Sequence, residues 1–534
     1  MSLPRTVAEV LSEHVTLELE SPDRLYLNLY VPRLQYPGGA VGFFRHHRGQ
    51  PFASSALMAP MTRAFVRSME SYCREGGIPV ITFRPGERKD DVAQAYLARC
   101  DGQEGILFAG KAQEKARVFR TEKRRNPETG RTYPWISWST AMVNAWYFYG
   151  LDAEFGPFFL KYGTYFPYTG RFCLNGHEYL KRQAARRGIA FEALDNGIAW
   201  CDDPARVQRI ADGLSPAKIE AFVRKWIRRL PCAYTKEDRA AGYRYDISVL
   251  QAEFALTQVF DRPRSGRVFF EEVIRENLDL GRPSQVALIF DRRVTKRTPS
   301  RFRTRVITEG VVPSLHIDYK HSRCKQYFKE GRALRTETTI NDARDFSIGK
   351  WLCNLPALRE VGFQANRRLL GVQRLSHDPI AGQEAFERVT RPAEVDGQRA
   401  SALRFEDPRV HMVLACLLVF RFLAHGFANK DLRALLAPLL GIDPALMTQG
   451  RMTYQLRRLR LHGLIERIPH THRYRVTEFG FRTALVFSRT YARILRPTLA
   501  HACANAPPVH SRLRKQFDRL EALIDQSVEW ARVA

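Results

Sequence analysis

Two carboxylates and two lysines stand on neighbouring candidate strands past the middle of the chain. In Ser314 to Lys320, alternation at period two puts Leu315, Ile317 and Tyr319 on one face and His316, Asp318 and Lys320 on the other. In Ala333 to Ile340 the same alternation sets Arg335 and Glu337 opposite Leu334, Thr336 and Thr338. If these strands and the one around Cys324 to Phe328 are neighbours, Asp318, Glu337, Lys320 and Lys325 could meet. Two carboxylates with a lysine is a donor set with which a nuclease holds a divalent cation and steadies a scissile phosphate. Ion-paired rows across a sheet use the same residues, and that is the favoured reading.

The second chemistry is recognition of phosphate. From Thr448 to Ile465, spacing of about 100° per residue gathers Met452, Leu456 and Leu459 on one stripe, with Arg451, Tyr454, Arg457 and Arg458 on or toward the other side. Gly463 stops the helix. Leu464 to Ile468 can then run as a strand, Pro469 to His472 as a basic turn, and Arg473 to Thr477 as a second strand. In this order the segment from about Pro408 to Pro497 resembles a winged-helix DNA-binding domain of bacterial regulators. That resemblance implies Arg451, Tyr454, Arg457 and Arg458 at a groove, His470, His472, Arg473 and Arg475 as the wing, and Asn429 capping the supporting helix.

These residues sit in a basic chain. Its 534 residues carry 84 Lys plus Arg against 56 Asp plus Glu, a formal charge of +28. Such an excess attracts polyanions, nucleic acid foremost, through a salt-dependent field. The bases cluster at Arg120, Lys123, Arg124 and Arg125, and again from Arg292 through Arg301, Arg303 and Arg305. Trp135 to Phe172 is rich in aromatics, which form a core or stack on unpaired nucleotides; the core reading is favoured. Nine scattered cysteines without a CxxC pair indicate neither a zinc ribbon nor a disulfide framework. No apolar run approaches the ~20 residues of a spanning helix, and no signal peptide opens the chain, so the expectation is a cytoplasmic protein with no membrane partner. No P-loop, dinucleotide turn or HExxH occurs.

The elements needed to position these groups divide the chain as follows. Residues 1–135 read as an α/β domain. Its hairpin Val15 to Val31, strand Val41 to Phe44, helix Ala53 to Arg74, strand Ile78 to Phe83, helix Asp90 to Cys100 and strand Gly105 to Ala109 resemble the element order of RNase H-like nucleases. That resemblance implies acids such as Glu18 or Glu20 with another after the fourth strand, where only Glu87, Asp90 and Asp91 are available. Residues 136–245 read as aromatic-rich and helical, and 246–375 as a basic α+β domain with helix Asp246 to Phe260 and strand Gln285 to Phe290. Residues 376–407 read as a linker, 408–497 as the winged-helix segment, and 498–534 as a C-terminal helix that fits either a homodimerisation arm or docking on its own domain. Stretches such as Gly42 to Gly49 and Lys325 to Thr338 also resemble a family of bacterial proteins, a likeness that implies no function.

The expectation is a multidomain α+β protein that binds DNA or structured RNA. Its alternatives are a metal-dependent nuclease or recombinase of a mobile element, which alone would require Mg2+, and an RNA-binding structural protein of a ribonucleoprotein. No other cofactor is indicated.

Overall fold

Alternating apolar residues build a wide sheet in the first part of the chain, and amphipathic helices close the second part. The computed structural model describes residues 5–261, 263–309, 312–375, 378–420, 426–443, 446–496, 498 and 519. Chain contacts separate two units, Met1–Asp378 and Pro379–Ala534.

Unit 1 is α+β around one mixed sheet. Its strands are β1 (Val15–Tyr30), β2 (Val80–Thr82), β3 (Gly105–Arg125), β4 (Thr132–Asp152), β5 (Gly156–Gly163), β6 (Gly170–Asn175), β7 (Asp246–Phe260), β8 (Thr304–Glu309), β9 (Val312–Tyr319), β10 (Ser322–Lys329) and β11 (Ala333–Ile340). They lie in the order β8-β9-β10-β11-β7-β1-β6-β5-β4-β3-β2, antiparallel throughout except for β2 and β3. Helices α1 (Ser55–Glu75), α2 (Lys89–Leu97), α3 (Gly176–Arg186), α4 (Pro216–Arg229) and α5 (Leu355–Val372) flank it. Phe65 of α1 meets Tyr162, Trp226 of α4 meets Phe158, and Gly362 of α5 lets Phe254 approach its backbone, so these three helices share the large core. The aromatics Trp146, Phe148, Phe158, Tyr162, Phe166, Tyr168 and Phe172 are buried there as expected. On the opposite face Phe83, Phe108, Tyr147 and Tyr149 form a smaller cluster with Tyr96 of α2.

Several expectations are corrected. Residues 15–30 form one strand rather than a hairpin, because the chain continues through Ser21-Pro22-Asp23 with a register shift instead of turning back. Val41 to Phe44 is helical. The RNase H-like order is therefore not what residues 15–109 adopt. Asp246 to Phe260 is the central strand β7, whose register shifts disguise its alternation. Gln285 to Phe290 belongs to a helix opened by Pro283, an apolar run too short for periodicity to decide. Residues 1–135, 136–245 and 246–375 do not form separate domains: β4 crosses the first boundary, and β7 joins β1 to β11 across the second.

Unit 2 comprises α6 (Pro379–Thr390), the hairpin β12 (Ala393–Val395) and β13 (Gln398–Ala400), α7 (Pro408–Phe420), β14 (Phe427–Ala428), α8 (Asn429–Leu439), α9 (Gln449–Leu461), β15 (Ile465–Arg467), β16 (Arg473–Val476) and α10 (Glu478–Thr490). Strands β14, β16 and β15 form a small antiparallel sheet in that order. Leu414, Leu417, Leu432, Leu436, Met452, Leu456 and Leu459 meet in its core. The expected linker 376–407 is mostly ordered structure of this unit, since Val389 and Leu403 are buried in the same core. The C-terminal helix expected over 498–534 lies outside the described residues except at 498 and 519.

Candidate functional site

The sheet brings only part of the carboxylate set together. Register places Lys325 opposite Glu337, and Lys325 Nζ lies 3.9 Å from Glu337 Oε2. Asp318 stands opposite Arg323 and receives bonds from Arg323 and Arg305, each at 2.9 Å. Lys320 occupies the β9–β10 turn at φ 50° and donates to the Asp345 carbonyl at 3.2 Å. With β10 between them, Asp318 and Glu337 stand on strands roughly 10 Å apart. Carboxylates sharing one hard cation must bring their oxygens within about 5 Å of each other, so this pair is not arranged for one. Arg301 and Arg303 are exposed just before β8, and Arg305 lies on it. Of the acids near the first strands, Glu20 engages Arg367, Glu18 accepts from Gln258, Glu87 accepts from the Arg84 amide and Asp90 pairs with Arg24.

Beside Glu337 lies a cluster that sequence reading did not assemble. Arg335 is fully buried; its guanidinium sits 2.8 Å from Asp23 Oδ2 and 3.0 Å from Glu337 Oε1 and also donates to His177 and the Asn196 carbonyl. Asn196 donates to Asp23 at 2.8 Å, Ser21 meets His177 at 3.0 Å, and Tyr327 donates to Glu337 at 3.2 Å. Burial opposes the charge on Asp23, but Arg335 and then His177 outweigh it and hold that carboxyl below its ordinary range. Burial, aided by neighbouring Asp23 and opposed by Arg335, pushes Glu337 above its ordinary 4.5. Burial, reinforced by Arg335, lowers His177 to about 3, leaving its ring neutral and able to accept from the guanidinium. The guanidinium already takes the space between the two carboxylates where a cation would compete. A faint signal existed in the shared face of Arg335 and Glu337, but Asp23 and His177 arrive from strands and helices far away in sequence.

The raised Glu337 has a testable consequence. Folding favours its protonated form, so its contribution is fully present below 4.5 and is lost as pH rises into the neutral range. The wild-type unfolding free energy minus that of Glu337→Gln should fall by about 1–3 kcal/mol across this window, read from urea unfolding at each pH. A difference independent of pH would remove this assignment.

In unit 2, Thr448 caps α9 by accepting from the Arg451 amide at 3.4 Å, and Met452, Leu456 and Leu459 point into the core. Gly450, Thr453, Tyr454 and Arg457 make an exposed stripe at helical spacing, with Arg451 exposed beside it. Arg458 departs from expectation. It is half-buried and donates to the Ser401 carbonyl at 3.0 Å and to the Ala402 carbonyl, pinning the chain after β13 onto the helix. Tyr454 Oη meets Ser401 Oγ at 2.8 Å, and the buried His462 ring lies between the Arg388 and Ser401 carbonyls. Asn429 does not cap α8; its amide donates to the Gln449 carbonyl and Thr453 Oγ1, each at 3.2 Å, so it ties α8 to α9. In the following turn His470 and His472 are exposed, Arg473 donates to the Gly426 carbonyl at 2.7 Å, and Arg475 pairs with Glu466.

Arg120, Lys123, Arg124 and Arg125 lie on β3 toward the tip of its long hairpin with β4. Arg124 stacks over Trp135 with its guanidinium 4.4 Å from the ring centre.

Comparison of the chain with protein-family models, with curated proteins and with solved structures finds no match. Among the described residues no helix is long and apolar enough to cross a membrane, and no cysteine forms a disulfide.

Proposed function

We propose that this is a nucleic-acid-binding protein of the cytoplasm whose second unit is a winged helix offering α9 to duplex DNA. One observation carries the reading: Arg451 and Arg457 are exposed on α9, and among the described residues neither side chain is spent on an internal ion pair. Two bases left facing solvent on a capped, core-anchored helix are available to phosphate or to a guanine edge. The formal charge of +28 supports the same partner class through counterion release. Helix α8, tied to α9 by Asn429, and the β15–β16 turn with His470 and His472 supply the support and the wing of this reading. The nuclease reading has less support, because Asp318 and Glu337 each serve separate ion pairs.

The test is a mobility-shift comparison of duplex DNA, single-stranded DNA and RNA at moderate salt. Retardation of duplex DNA is expected. Binding confined to RNA would favour a ribonucleoprotein component, and binding of none of the three would end the proposal.

A further inference from the structure

The geometry points to the β3–β4 hairpin as a second DNA-contacting element, a basic two-stranded ribbon that enters the major groove of a B-form duplex; this rests on the nucleic-acid reading above. Strand β5 pairs with β4 only over Ala145–Asp152, while β3 and β4 remain paired out to Arg125 and Thr132. The outer part is therefore a ribbon of two strands alone. Its base is anchored: Phe119 stacks on Trp138 at 4.1 Å and touches Phe166, and the Ser55 amide donates to Thr121 at 2.7 Å. Beyond Thr121 every residue from 122 to 135 is exposed except half-buried Asn126 and Pro134.

The tip is also ordered by its own bonds. Asn126 Oδ1 accepts from the amides of Glu128 and Thr129 at 2.8 and 3.3 Å, and Arg125 Nε donates to the Gly130 carbonyl at 3.0 Å. A ribbon held this way loses little further freedom on binding.

Charge and shape select the partner. From Lys111 to Arg131 the sequence has eight bases and three acids. Alternation puts Lys123 and Arg125 on one face of the ribbon and Arg120 and Arg124 on the other, with Tyr133 and Trp135, each 41% exposed, beside Arg124. A platform for stacked single strands needs one basic, aromatic face, whereas a groove presents phosphates along both walls. Two strands about 4.8 Å apart with their side chains match a major groove about 12 Å wide, and the free strands run roughly 13 Å. The deep, narrow major groove of A-form RNA does not admit such a ribbon.

The experiment measures affinity for a DNA duplex and for an RNA duplex of the same sequence by fluorescence anisotropy over graded salt. It uses full-length wild type and the combined variant Arg120→Ala, Lys123→Ala, Arg124→Ala, which keeps the Arg125 bond to the Gly130 carbonyl. These positions are exposed, so the unfolding midpoint should not move. The variant is expected to bind DNA about tenfold or more weakly near 150 mM salt, with the slope of log affinity against log salt reduced by about 2 to 3. Wild type is expected to prefer DNA. Unchanged affinity and slope in the variant overturn the ribbon proposal while leaving the α9 reading standing; equal losses on the RNA duplex overturn the major-groove assignment; absence of wild-type binding overturns both readings.

Discussion

Replacing Arg335 by alanine should lower the unfolding free energy of unit 1 by about 3–5 kcal/mol, the range found when one partner of a buried ion pair is removed. The guanidinium has 0% of its side chain exposed, and it stands between Asp23, with 3% exposed, and Glu337, with 11%. Without it, one carboxylate must be neutralised or left charged in the buried cluster beside the neutral His177 ring, and the Asn196 carbonyl loses its donor. The cluster also spans elements distant in sequence: Asp23 on β1, His177 on α3 and Arg335 on β11. Six of the seven tryptophans lie in residues 1–378, so tryptophan fluorescence during urea unfolding reports on this unit. Asp23→Asn combined with Glu337→Gln in the Arg335→Ala background should recover part of the loss, since it removes the orphaned charges. A shift below about 1 kcal/mol for Arg335→Ala would mean that the cluster is solvated in solution.

The second large effect falls on binding. Combined Arg451→Ala and Arg457→Ala should weaken duplex DNA binding by about 2–6 kcal/mol if both reach base edges, from roughly thirtyfold upward. If they hold phosphates instead, the salt slope falls by about 2 and the loss is uniform across sequences. Arg458→Ala provides the contrast. Its guanidinium is bound to the Ser401 and Ala402 carbonyls, so its loss should lower the melting temperature of unit 2 and leave the salt slope unchanged. Equal binding losses from Arg458→Ala and from the double variant, at equal stability, would place Arg458 at the DNA and contradict the contact geometry described above.

Local signals made much of unit 2 legible. Met452, Leu456 and Leu459 recur at helical spacing and Gly463 at φ 72° ends α9, whereas Thr477, which reads as the end of a strand, caps α10. Strands β9 to β11 were equally readable, because the turns between them carry left-handed residues at Lys320, Glu330 and Gly331 around clean alternation. The sheet as a whole was not. Strand β7 carries register shifts that break its alternation, and the Ser21-Pro22-Asp23 stretch reads as a turn although Asp23 is buried within a continuous strand. Hidden too was the role of residues 379–403, whose polar composition conceals Val389 and Leu403 in the core. Individual groups of the site were visible by type, but their neighbours depend on strand order. Nothing local tells that Glu337 faces Asp23 rather than Asp318, or that Arg458 turns inward while Arg457 faces solvent.

The most direct measurement is the affinity of the full-length protein for duplex DNA between about 50 and 200 mM salt, with wild type beside the Arg451→Ala, Arg457→Ala variant. Wild-type binding is expected to weaken steeply and linearly in log salt, and the variant to bind less tightly while unfolding at the same urea midpoint. Wild-type binding that is absent, or a variant indistinguishable from wild type at every salt concentration, would contradict the proposed contact of α9 with DNA.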